Sequence, residues 1–268
     1  MPALIPTQED IDMLVQAAKQ KLSSLFTSVG IPESHGLGHC LIVLGNMEKA
    51  IASADERTKK LLSPQMIVSL KMAALLHEAD DHKYFKTENF SNAKDILQEV
   101  LPEDANKTKI ISDVAEMISY VSASVNGNTV PEVAKTNPTF LWPRFCDRLE
   151  AIGVIGAVRC YQYNRETSAP FSTESTPRPT NEKELWAMVT AERWLNYQQT
   201  GNSASMMDHF YDKLLHIAYF DQDVVQNSFL VEEASARVKP LIDICLKFGV
   251  SGKVPTDLLD SYEKDIFH

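Results

Sequence analysis

Residues 70–85, LKMAALLHEADDHKYF, decide how this chain folds. Ser63 and Pro64 upstream supply a helix start with proline at the first helical position. Ile67, Leu70, Met72, Ala73 and Leu76 then carry an apolar helix into His77. The same periodicity recurs outward in both directions. Ile11, Leu14, Val15, Ala18, Leu22 and Leu25 mark a helix over 8–29 that stops at Gly30 and Pro32. A second helix is expected from about His35 to Ala54, and others over 90–100, 106–121, 138–163, 182–200, 204–219 and 223–248. Strand-like alternation is scarce, so the expected fold class is all-α.

Two stretches interrupt the pattern. Residues 124–137, SVNGNTVPEVAKTN, and 166–181, ETSAPFSTESTPRPTN, concentrate turn-forming residues and read as loops. The second is long for a compact domain, which predicts a segment either mobile or folded over a site as a lid. With no internal repeat, the expected organisation is a single domain over 1–268. Its core covers about 30–165, and a C-terminal helical part over about 182–248 packs on it.

The chain has 268 residues, 44% of them hydrophobic, enough for a substantial core. Lys and Arg number 26 against 36 Asp and Glu, and the net charge of -10 argues against long nucleic acid as a partner. A local pocket can still be positive inside an acidic protein, so a small anionic ligand remains compatible. Cys40, Cys146, Cys160 and Cys245 form no C-x-x-C pair and read as reduced core residues. The N-terminal MPALIPTQEDID lacks a signal-like apolar run, and no segment approaches about 20 apolar residues. The expectation is a cytoplasmic protein without a membrane partner, and the apolar C-terminal helices would allow a homodimer.

Histidines and carboxylates near helix ends carry the chemical signal. His35 and His39 are four apart in SHGLGHCLIVLGNMEKA; His77 and Glu78 follow the apolar run; Asp147 lies in FCDRLEAIGVIGAVRC, with Leu149, Ile152, Ile155 and Val158 expected to turn inward. A buried imidazole or carboxylate on such a face needs a partner, and a shared divalent metal would serve all of them. Any one of these histidines alone reads more readily as a hydrogen-bonded helix-end residue than as a ligand. His82 follows His77 by five positions rather than four, so HEADDH is not a zincin motif.

The order of His39, LLHEADDHKYF, CDRLEAIGVIGAVR and SASMMDHFYDKLLHI resembles the HD-domain metal-dependent phosphohydrolases, in particular the branch of bacterial and fungal nucleoside triphosphate pyrophosphohydrolases. The resemblance spans about residues 30–248. It implies an HD-type helical bundle with additional C-terminal helices, with His39, His77 and Asp147 as metal ligands and residue 78 as the fourth. The chain carries Glu78 where the family has aspartate, and Gly36 where an acidic residue is common. The absence of histidine between His82 and Asp147 favours one divalent ion, Mn, Fe or Mg, with Zn also compatible.

The implied activity is hydrolysis of a small phosphorylated substrate, a nucleotide above all. Asp81, Lys83 and Arg148 are catalytic candidates, and His82, Lys83, His209 and Lys213 are substrate-binding candidates. Ion pairs of Arg148 with Glu150 and of Lys213 with Asp212 are the competing structural reading. Phe210 is expected in the core, and Tyr211 could face the pocket. The alternative function is a catalytically weak HD-derived protein that binds metal or nucleotide for regulation; a purely structural helical scaffold is the third reading.

Overall fold

The computed structural model describes residues 5–31 and 36–267, so His35 lies outside the described residues. Every regular element among the described residues is helical, which makes this an all-α fold. The chain divides into two compact units. The first comprises 1–122, 129–147 and 222–230, and the second 123–128, 148–221 and 231–268.

In the first unit, α1 (Gln8–Val29), α2 (Leu37–Ala52), the single turn α3 (Glu56–Lys59), α4 (Pro64–Leu76), α5 (Ser91–Val100) and α6 (Lys107–Ser119) build the core. Helix α4 is central because its sequence offers no polar face, and a helix apolar all round must be surrounded. Every residue from Val68 to Leu76 is buried, and α1, α2 and α6 pack on it. Its Lys71 is buried along its stem and extends its ammonium to Glu48 at 3.0 Å and Asp12 at 3.4 Å.

Local chemistry sets the helix ends. Thr7 and Asp10 form a capping box at the start of α1, and Gly30, at φ 70°, closes it in the left-handed region. Ser63 caps α4 through the Met66 N–H, with Pro64 at the first position, as the sequence predicts.

From residue 123 onward, in both units, the expected boundaries need correction. Residues 123–137 are not plain loop: they hold two short helices, α7 (Ala123–Asn126) and α8 (Glu132–Thr136). The expected helix over 138–163 is three elements: a 3-10 turn at Pro138–Leu141, α9 (Trp142–Ala151) and α10 (Gly153–Glu166). The break falls at Gly153, whose φ of 82° and approach to the Arg237 carbonyl, 3.0 Å from where a Cβ would stand, exclude a side chain.

Beyond it, the 182–200 stretch divides into α11 (Glu182–Met188) and α12 (Ala191–Thr200), and Thr190 caps the second through the Arg193 N–H. Helix α13 (Met206–His209), a π-helical turn at Phe210–Leu214 and α14 (Leu215–Ile217) run on without a gap. Helix α15 (Gln222–Val225) precedes α16 (Ser228–Ser251), and α17 (Thr256–Phe267), unforeseen from sequence, packs on α10.

Residues 167–181 are irregular, as expected, but they are fastened down. The Pro170 and Phe171 carbonyls accept the Met206 and Met207 N–H groups, each at 3.0 Å. Thr176 donates to Asp208 at 2.8 Å, and Arg178 donates to the Gly249 carbonyl at 3.2 Å. A Cβ on Gly249 would stand 1.7 Å from the Pro179 carbonyl oxygen, so glycine is what lets the segment lie against α16. This stretch is a strap over the C-terminal helices, neither lid nor free loop. All four cysteines are free; Cys40, Cys146 and Cys245 are buried, as expected of core residues, and Cys160 is half-buried.

Candidate metal centre

Four side chains from three distant segments converge in the first unit. His39 lies in the first turn of α2, His77 is the C-cap of α4, Glu78 begins the turn that follows, and Asp147 is in α9. Direct packing of α2 on α4 brings the two histidines together. Asn46, in α2, donates its side-chain N–H to the Cys146 carbonyl at 3.3 Å, tying α2 to α9 one residue before Asp147.

The donor atoms are closely spaced. His39 Nε2 is 3.2 Å from His77 Nε2 and 3.2 Å from Asp147 Oδ1. His77 Nε2 is 3.6 Å from Asp147 Oδ1 and 3.7 Å from Glu78 Oε1, and His39 Nε2 is 3.9 Å from that same glutamate oxygen. All four ligand atoms lie within 4.8 Å of one another, forming a cluster that could hold a metal ion. Ligands at about 2.0–2.2 Å from a shared centre stand about 2.8–3.1 Å apart at right angles and about 3.3–3.6 Å apart in a tetrahedron. The spacings among His39, His77 and Asp147, 3.2–3.6 Å, fall in that range, and Glu78, at 3.7 and 3.9 Å from the imidazole nitrogens, lies just outside it.

The tautomer supports the same fit. His77 Nδ1 lies 2.9 Å from the Ala74 carbonyl, which can only accept, so Nδ1 carries the proton. In the neutral ring Nε2 then presents its lone pair to the cluster, the arrangement that a backbone carbonyl imposes on metal-ligating imidazoles. Side-chain exposure is 2% for His77, 10% for His39, 17% for Glu78 and 25% for Asp147, so water reaches the cluster from the carboxylate side. Burial works against the charged form of His77, but hydrogen bonding and charge from Asp147, with Glu78, outweigh it and push the ring up to about 9. Burial likewise opposes ionisation of Asp147, yet the hydrogen bonds from His39 and His77 hold its carboxyl far below the usual range. The neighbouring Cys40 thiol is driven well up by burial, then by Glu78 and Asp147, and Cys146 likewise by burial, so neither offers a thiolate. Two imidazoles and two carboxylates are a donor set for a divalent ion.

The other sequence-predicted residues are placed differently. Asp81 accepts the Lys83 backbone N–H at 2.9 Å and lies 3.6 Å from His82, outside the four-donor cluster. His82 is 90% exposed, and Lys83 is 56% exposed with its ammonium 3.9 Å from Asp81. Arg148, His209 and Lys213 belong to the second unit. Arg148 is buried and donates to Asn128 Oδ1 at 2.7 Å and to the Gly127 carbonyl. Glu150 pairs with Arg237 at 2.7 Å. Lys213 lies over the Tyr197 ring, 5.5 Å from its centroid, while Asp212 pairs with Arg193 at 2.7 Å; the expected Lys213–Asp212 pair is absent. His209 Nδ1 is 3.3 Å from Ser203 Oγ, and burial, then Lys213, lowers its pKa to about 3. Phe210 is fully buried, as expected, and Tyr211 is buried with its hydroxyl donating to the Pro177 carbonyl at 3.2 Å rather than facing a pocket. Sequence reasoning missed Asn46, because nothing local marks a core amide as the partner of a carbonyl 100 positions away.

No helix among the described residues is long and apolar enough to cross a membrane. No family model matches the chain. "Uncharacterized protein L803" of Acanthamoeba polyphaga mimivirus is 32% identical over 227 residues, covering 80% of this chain and 88% of the viral protein. Two crystal structures share the fold. One is from Lactobacillus plantarum (structural genomics target LpR71), with TM-score 0.54, 17% identity, and coverage of 91% of this chain and 97% of that one. The other is the Lin1889 protein from Listeria innocua, with TM-score 0.52, 19% identity, and coverage of 89% and 94%.

Proposed function

This chain belongs to the same family as the mimiviral protein, and from that premise we propose that it is an HD-type, metal-dependent phosphohydrolase acting on a small phosphorylated substrate, a nucleotide above all. The observation that carries this reading is the convergence of His39, His77, Glu78 and Asp147 with their donor atoms within 4.8 Å. Two neutral imidazoles and two carboxylates carry a charge of about -2, which balances one divalent ion and suits Mn, Fe or Mg, with Zn also compatible. When bound, such an ion supplies a Lewis acid for a phosphate oxygen and acidifies water toward neutral pH.

The chain's own residues perform the rest. His39 and His77 would present Nε2 to a bound ion, and the Ala74 carbonyl keeps the proton of His77 on Nδ1, the tautomer that this requires. Glu78 and Asp147 supply the charge on the open, partly solvated side, where an incoming phosphate would meet the site. Asp81 and Lys83 follow within one short turn, with Lys83 exposed and available to a phosphate oxygen.

The outlying position of Glu78, 3.7 and 3.9 Å from the two imidazole nitrogens, favours a second reading: a protein that binds metal or nucleotide for regulation without turnover. Purified wild type, His77→Ala and Asp147→Ala should be compared for bound metal and for phosphate or pyrophosphate release from a nucleotide panel with Mn2+. Hydrolysis by the wild type and loss of both metal and hydrolysis in the variants is the expected result. Full metal content in both variants overturns the ligand assignment; metal binding and nucleotide stabilisation without release selects the regulatory reading.

A further inference from the structure

Asp80 lies two residues after Glu78 and does not belong to the donor cluster. Its two carboxylate oxygens are both spent on the start of α5: the Asn92 N–H donates to Oδ1 and the Ala93 N–H to Oδ2, each at 3.0 Å. Asn92 returns the link, donating its side-chain N–H to the Ala79 carbonyl at 2.8 Å. Three hydrogen bonds thus join the two residues after Glu78 to the first turn of α5.

The backbone explains why α5 needs this carboxylate. Its N-cap residue is Phe90, which has no acceptor to offer the free N–H groups of the first turn. Asn89 and Phe90 are both in the left-handed region, at φ 55° and 58°, an unusual state for a bulky residue that persists only where its surroundings impose it. The aligned N–H groups and the positive end of α5 accept a carboxylate from outside the helix, and Asp80 supplies it.

On the other side, the turn is wound directly from α4. The Ala79 N–H donates to Leu76 at 3.0 Å and the Asp81 N–H to Glu78 at 3.2 Å. The backbone of Glu78 is therefore held from α4 before it and from α5 after it. A glutamate reaches one methylene beyond an aspartate and has one more torsion to fix, so the direction of its carboxylate depends on how firmly its backbone is set.

Resting on the proposed metal centre, we infer that Asp80 and Asn92 are a positioning pair: they dock the His77–Asp80 turn onto α5 and so aim the Glu78 carboxylate at the metal. Groups that orient ligands in this way typically change metal affinity about 10–100-fold when removed.

The test uses the full chain and Mn2+ alone, titrated calorimetrically, beside thermal melts in EDTA. Asp80→Ala and Asn92→Ala are each expected to weaken Mn2+ binding about 10–100-fold. Asp80→Asn, which keeps one acceptor oxygen, should recover part of that loss. Thr7→Ala, which removes the cap of α1, should lower the melting temperature in EDTA as a cap loss does while leaving Mn2+ affinity unchanged. Asn92→Ala cuts the link from the α5 side, so the inference remains testable if Asp80→Ala does not fold. If the Asp80 and Asn92 variants melt lower but bind Mn2+ like the wild type, the pair is structural only and this inference fails while the metal centre stands. If the wild type itself binds no Mn2+, the proposed centre falls and the positioning role falls with it.

Discussion

Asp147→Asn probes the centre with the least change of shape, since it keeps side-chain volume and removes one charge. Asp147 Oδ1 lies 3.2 Å from His39 Nε2 and 3.6 Å from His77 Nε2, so this carboxylate is shared by both imidazoles. A wild-type protein at an ion concentration of about 100 times its Kd gains about 2.7 kcal/mol. For a chain of this size each kcal/mol raises the melting temperature by about 2–4 °C, so the increment over EDTA should be about 5–11 °C. The variant has three donors and a set charge of about -1, and losing a direct ligand should weaken binding at least as much as the roughly 100-fold upper figure for supporting groups. At the same ion concentration the gain then falls to about 0.4 kcal/mol, an increment of about 1–2 °C. In EDTA the variant should itself be weaker by about 1.5–3 kcal/mol, because hydrogen bonds to a charged group are lost. Thermal melts across a Mn2+ titration, with elemental analysis of the purified proteins, read both effects. An Asp147→Asn protein that keeps the full wild-type increment would refute the assignment of Asp147 as a donor.

Three predictions concern the second unit. His209 has its pKa lowered to about 3, so the folded state favours the neutral ring; its contribution is complete above the unfolded value of about 6.5 and is lost as pH falls toward 3. His209→Gln should therefore flatten the decline of urea stability between those limits, and an unchanged slope would show that another group governs it. Gly249→Ala forces a Cβ to 1.7 Å from the Pro179 carbonyl oxygen, so the strap must lift, at a cost of about 3 kcal/mol in urea unfolding and with faster proteolysis within 167–181. Arg237→Met breaks the pair with Glu150, which is 5% exposed, and should cost about 3–5 kcal/mol by chemical denaturation, part of it recovered in the double variant with Glu150→Gln.

Helix identity was legible along most of the chain because it depends on local periodicity and caps. The span of α1 follows from its apolar periodicity and Gly30, and that of α4 from Ser63, Pro64 and an unbroken apolar run. The candidate ligands His39, His77, Glu78 and Asp147 were named through the resemblance of their segments to the HD phosphohydrolases. The break at Gly153 was not, since glycine within an apolar periodic stretch looks tolerable until the Arg237 backbone is seen beside it. The partners of Lys213 and Asp212 were not legible either, because i,i+1 neighbours point to different sides of a helix.

What the sequence alone determined is the set of helices and the chemistry available at their ends, both of which are properties of residues within a few positions of one another. Only the tertiary structure decided that donors from residues 39, 77, 78 and 147 meet within 4.8 Å, that residues 167–181 are strapped down, and that Asp80 caps a helix twelve residues ahead. Those outcomes depend on packing between segments far apart in the chain, where geometry is set by buried surfaces and hydrogen bonds that no local pattern encodes.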